Sequence, residues 1–122
     1  MIERIQGLPE NALGYTAKGT VSVADYESVI IPAVDALFIH HDHVRFLYHL
    51  GDEFAGFEAG AAWDDAKLGL KHLRGWERIA VVSDVTWVRA AVNIFGLAIP
   101  GQVRLFRNSE LAEAKRWISA SD

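Results

Sequence analysis

Along this chain the spacing of apolar residues changes repeatedly, and each change predicts an element. "MIERI" and "ALGYTAKGTV" have the short apolar rhythm of strands, separated by "GLPEN", where Gly and Pro interrupt. "SVADYESVIIPAVDALFIH" shifts to helical spacing, with Ser22 as N-cap and Asp25 completing a capping-box-like start. Pro32 lies inside that pattern and predicts a kink, because proline removes a hydrogen bond and crowds the preceding turn. "VRFLYHL" is a strand, "GDEFAGF" a loop and "EAGAAWDDAKLGLKHLRG" a second helix. On that helix Ala59, Ala62, Trp63, Ala66, Leu70 and Leu73 share one narrow face, with Gly75 as C-cap. "WERIAVV" suits a strand buried on both faces. A third helix, "DVTWVRAAVNIFGLAIPG", follows, capped by Asp84 and stopped by Pro100 and Gly101. "QVRLFR" is the last strand. "SELAEAKRWISA" is the last helix, capped by Asn108 or Ser109, with Leu111, Ala114, Trp117 and Ile118 inward.

The predicted order is β-β-α-β-α-β-α-β-α, within a single domain spanning 1–122. Strands alternating with helices imply crossovers and a mostly parallel, five-stranded α/β sheet; the first strand is its antiparallel edge.

The helix after "WERIAVV" carries more apolar surface than a sheet requires. Val88, Val92, Phe95 and Ile99 fall in an arc of about 80°, enough to face the sheet. Trp87, Ala90, Ile94, Leu97 and Ala98 form a second, roughly opposite arc. Arg89, Asn93 and Gly96 make the polar edge. Four surroundings suit the second arc. It can pack on the helix 57–74 as plain core. It can border a pocket lined by Phe54, Phe57, Trp63, Trp87, Ala91 and Ile94. It can enter a bilayer interface through Trp87, Ala90, Ile94 and Leu97, with Arg89 meeting headgroups. It can pair with another chain.

Composition narrows these readings. Twelve Lys+Arg against 16 Asp+Glu give a net charge of −4, which leaves no electrostatic footprint for nucleic acid. With no cysteine there is no disulfide framework, Cys-based zinc site or thiol nucleophile. The apolar stretch Val85–Pro100, broken by Arg89 and Asn93, is too short and too polar to span a bilayer. No secretory signal is visible, so the expected location is the cytoplasm.

Candidate chemistry is sparse. "HHDH", His40–His43, offers imidazoles and a carboxylate, but lacks an i, i+4 ligand pair and leads into a strand's amino end. Asp52, Glu53, Ser83 and Asp84 follow strand carboxyl ends, where capping is the ordinary role of Asp. Asp64 and Asp65 lie near a helix start, where negative charge is stabilised. No G-x-S-x-G elbow, dinucleotide fingerprint or Walker loop occurs. No catalytic residue, metal site or cofactor is assigned.

Three stretches together resemble the SpoIIAA-like family of small bacterial proteins. They are "ADYESVIIPAVDAL", "GFEAGAAWDDAKLGLKHLRGWERIAVVSD", and W-x7-F-x4-PGQVRLF with an Ala-x-x-Trp-Ile ending. That family is similar in fold to STAS domains and to lipid-binding CRAL-TRIO domains. The resemblance implies an α/β sandwich without known catalytic chemistry, whose movable helices hold a small apolar ligand or meet a membrane. Phospho-regulated STAS antagonists carry a serine at the start of the helix after the third strand. Here no Ser or Thr occurs from Val29 to Val82, so that switch is absent.

The leading expectation is a non-enzymatic binding domain for a small apolar or lipid-like ligand between helices 57–74 and 85–99. It would be cytoplasmic, with peripheral contact at the inner membrane face. The alternative is a STAS-like interaction module or homodimer using the same apolar helix surface.

Overall fold

The computed structural model describes residues 1–121. Strand β1 (Ile2–Arg4) runs antiparallel to β2 (Ala12–Ala17). A short β3 (Gly19–Val21) leads into a helical segment, α1 (Val23–Asp25), whose Ser22–Asp25 capping box is formed as the sequence predicts. The helix widens to a π turn over Tyr26–Ile30 before continuing as α2 (Ile31–His40). The amide of Ile31 reaches back five residues to the carbonyl of Tyr26, and Pro32 then opens the α-helical register at a position that needs no donor.

Next come β4 (Val44–His49), β5 (Phe54–Phe57), α3 (Ala59–Lys71), β6 (Trp76–Val82), α4 (Thr86–Gly96), β7 (Gln102–Phe106) and α5 (Leu111–Ser119). The main sheet has the order β1-β2-β4-β6-β7, with every pair parallel except the first. The five-stranded sheet with its antiparallel edge is the predicted one.

Three assignments change. The segment "GDEFAGF" holds β5, which pairs in parallel with β3 as a second, two-stranded sheet. Gly56 has φ +138, a conformation only glycine adopts comfortably, and it lies opposite Thr20 in this pairing. Asp84 does not cap α4. Its Oδ1 accepts from the Asn108 amide at 3.1 Å, while Ser83 Oγ accepts from Val85 N at 3.1 Å. The 3-10 turn that opens α5 is held instead by Arg107 and Glu110.

Consecutive crossovers in one direction place α1 to α4 over one face of the sheet, and α5 covers the other. The strands alternate accordingly. Tyr15, Phe46, Tyr48 and Val81 join the core beneath the first helix layer. Ala12, Leu47, Ala80 and Val82 meet Ala114 and Ile118 of α5.

On the α5 side, two arginines close the layer. Arg45 donates to the carbonyls of Ile118 at 2.9 Å and Ala120 at 2.6 Å, and pairs with Glu77 at 2.6 Å. Arg78 donates to the carbonyls of Trp117 and Ala120 at 2.8 and 3.1 Å. Both satisfy carbonyls at a helix C-terminus, where positive charge is favoured.

Candidate functional site

The helix layer over the other face is not closed. Helix α4 buries only Val88 fully, and Val92 and Ile99 rest on the edge of the core. Between α3 and α4 lies a cavity of about 250 Å³. Its floor is the sheet, through Phe46, Tyr48, Ile79, Val81 and Val103. Ala66, Leu70 and Leu73 form the α3 wall, and Val92, Phe95 and Ile99 the opposite one. An engineered apolar cavity of about 150 Å³ admits benzene, and natural ligand pockets begin near 300 Å³. This volume falls between them.

The α3 wall results from a helix rotation that differs from the predicted one. Ala61, Asp64 and Leu68 are its buried residues. Of the narrow apolar face, Trp63 is 65% exposed, while Ala66, Leu70 and Leu73 border the cavity. The rotation brings Asp65 to Tyr26. The fully buried Tyr26 hydroxyl donates to Asp65 Oδ1 at 2.7 Å and lies 3.0 Å from the Tyr48 hydroxyl. Buried hydroxyls need partners, and this set supplies them.

Asp65 lines the cavity and meets solvent through its opening. The shortage of water raises its pKa above the usual carboxylate range, against the lowering effect of the Tyr26 hydrogen bond. Burial likewise raises both tyrosines. Asp64 pairs with Lys67 at 3.5 Å, and its Oδ2 is buried without a partner among the described residues.

The residues expected to line a pocket lie elsewhere. Phe54, Phe57 and Trp87 form an aromatic cluster beside the cavity, with ring centroids 5.1 Å apart for the two phenylalanines and 6.1 Å from each to Trp87. Ala91 is half-buried on α4. Trp63 and Ile94 face outward, Ile94 at 71% exposure, and none of these six lines the cavity. Of the interface set, Ala90 is exposed and Leu97 is 90% exposed. Arg89 points inward, donating to the carbonyls of Ser83 at 2.9 Å and Phe106 at 3.2 Å, which ties α4 to two strand ends. The arc assigned wholly to the sheet thus supplies a cavity wall. Of the second arc, Ala90, Ile94 and Leu97 face solvent, Trp87 is half-exposed against Phe54 and Phe57, and Ala98 borders the cavity.

Sequence reasoning missed the Tyr26–Tyr48–Asp65 set. Both tyrosines fit their apolar patterns as core, and Asp65 reads as an ordinary charge near a helix start. The detectable signal is two core tyrosines whose hydroxyls need partners.

A second crevice lies at the carboxyl ends of β2 and β4, lined by Thr16, His49, Asp52, Glu53 and Asn108. Its polar groups engage one another. His49 Nδ1 lies 3.2 Å from Thr16 Oγ1, and Asn108 Nδ2 donates to Asp52 at 3.3 Å. Burial, then Lys115, holds His49 below its usual pKa, with Asp52 opposing. Among the described residues no group of three His, Asp or Glu side chains could hold a metal ion, "HHDH" included.

An uncharacterized protein from Shewanella loihica PV-4, whose crystal structure has a SpoIIAA-like fold, aligns with a TM-score of 0.75 at 27% identity, covering 97% of this chain and 92% of that one. A family model described as SpoIIAA-like matches residues 12–119, and the chain belongs to that family. No curated protein matches it.

Proposed function

We propose that this protein is a non-enzymatic binding domain holding a small apolar or lipid-like molecule between α3 and α4. The observation that carries this reading is the cavity, an opening onto the sheet bordered almost entirely by apolar side chains. Burial of apolar ligand surface is worth about 25 cal/mol per Å², so a few hundred Å² suffice for useful affinity before association costs. Ile94, Phe95 and Leu97 of the α4 segment stand exposed beside the opening. In this reading they meet the inner face of a membrane, where the protein collects or releases its ligand. No helix among the described residues is long and apolar enough to cross a membrane, so such contact is peripheral.

Native mass spectrometry of the purified protein with a lipid panel, alongside liposome flotation, tests both parts. Bound apolar mass supports the cavity, and flotation lost in Leu97→Glu supports the membrane contact. No bound mass and no flotation would remove the reading. Dilution-dependent dimers abolished by Ile94→Glu, with no effect of ligand, would replace it with a STAS-like interaction module.

A further inference from the structure

We propose that the cavity selects small apolar ligands that carry a protonated amine, with Asp65 Oδ2 as the group that receives it. This rests on reading the cavity as a ligand site and concerns which chemistry it admits.

A tyrosine hydroxyl has one proton to donate. Tyr26 gives its proton to Asp65 Oδ1, so the contact between the two hydroxyls is completed by Tyr48 donating to Tyr26. Both donors are then used, and Asp65 Oδ2 accepts from no group among the described residues. The indole N–H of Trp76 is also committed, to the Gly69 carbonyl at 3.2 Å. The polar function left facing the cavity is therefore a carboxylate oxygen.

Among the described residues no cation balances it. The lining contains no Lys, Arg or His. The basic side chains of α3 and its C-cap pair elsewhere, Lys67 with Asp64 at 3.5 Å, and Lys71 and His72 with Asp35 at 3.1 and 2.8 Å. A ligand carboxylate or phosphate placed here would meet a like charge in a poorly hydrated space. An ammonium would meet its counterion and make a charge-assisted hydrogen bond.

The apolar lining favours the same ligand. The rings of Phe46, Tyr48, Trp76 and Phe95 border the cavity, and aromatic faces attract cations as well as hydrocarbon. Burial raises the pKa of Asp65, and only the Tyr26 hydrogen bond opposes it. Scaling from the cavity that admits benzene, the volume suits a body of about ten non-hydrogen atoms.

Three size-matched probes separate the alternatives: 2-phenylethylamine, propylbenzene and phenylacetate, each titrated into the protein and followed by ¹H–¹⁵N NMR at the Trp76 indole. The expected order of affinity is amine, then hydrocarbon, then carboxylate. Asp65→Asn keeps an acceptor for Tyr26. It should weaken the amine roughly ten- to a hundredfold, the worth of a hydrogen bond to a charged group, while leaving propylbenzene within about twofold. Equal binding of amine and hydrocarbon in the unmodified protein would overturn the proposal and leave the cavity reading intact. So would an amine affinity unmoved by a folded Asp65→Asn. Failure of all three probes would remove the cavity reading as well.

Discussion

The two faces of one sheet are built to different standards. Under α5, Leu47, Ala80, Val82, Ala114 and Ile118 are all buried to within a few per cent, and Arg45 and Arg78 hold the end of the helix. Under α3 and α4 the same strands present Phe46, Tyr48, Ile79 and Val81 to a cavity whose far wall is partly exposed. Strand β6 contributes to both: Ala80 and Val82 are sealed, while Ile79 and Val81 border empty space. The apolar composition of the strand is not what distinguishes them. The helix above does. Helix α5 buries its apolar stripe, whereas α4 buries only Val88, is tied down by Arg89, and leaves Ile94 and Phe95 exposed towards its end.

Substitutions that remove volume should expose this contrast most strongly. Ile118→Ala is expected to cost about 2–5 kcal/mol in chemical denaturation, the usual range for a large-to-small change in a packed core. Ile99→Ala, which trims a residue already beside a void, should cost less than about half as much. Equal losses would mean that the cavity is filled in solution. Gly101→Ala belongs with the large effects. Any Cβ there would strike the Trp76 carbonyl, a backbone group that cannot move aside without disturbing the start of the β6–β7 ladder.

Substitutions that add volume should separate the faces in the opposite way. Ala114→Leu overfills a sealed layer and should destabilise by about 1–3 kcal/mol. Ala66→Leu projects into the cavity and should stay within about 1 kcal/mol of the parent. Denaturant midpoints of the two variants check this, and a matching loss in Ala66→Leu would contradict an open α3–α4 layer.

Smaller effects report on charge. Asp65 has a raised pKa in the folded protein against about 3.9 when unfolded. The folded state therefore binds its proton more tightly, and the stability from Asp65 is full below the unfolded value. It is lost as pH rises through the folded value. Asp65→Asn has no such proton, so the parent should lose stability relative to this variant across that window. Parallel pH–stability curves would show that the carboxyl is well hydrated. Smallest of all, Leu97→Glu should change monomer stability by no more than about 0.5 kcal/mol, because the side chain lies in solvent.

The same contrast governs how far the sequence could be read. Leu111, Ala114, Trp117 and Ile118 give one stripe with one surface to bury it, and the α5 layer follows from helical spacing alone. The parallel sheet was legible for a similar reason, since each strand–helix alternation has one favoured crossover. On α3 the most apolar face is not the buried one. Two core tyrosine hydroxyls require partners, and Asp65 satisfies Tyr26 only if the helix turns Ala61, Asp64 and Leu68 inward. That constraint joins residues far apart in sequence. Strand β5 escaped for a comparable reason, because "FAGF" is too short to declare itself without β3 beside it. The two helices that flank the cavity were identified in sequence. Their rotation, which decides the lining residues, was not.

The most direct measurement of an open α3–α4 layer is an NMR titration with propylbenzene, a neutral probe that isolates the apolar cavity from the charge of Asp65. An open layer gives saturable shifts at the Trp76 indole and the amides of Ala66, Val92, Ile99 and Val103, lost in Ala66→Leu. Shifts scattered over both faces, none at all, or a full response retained in that variant would contradict it.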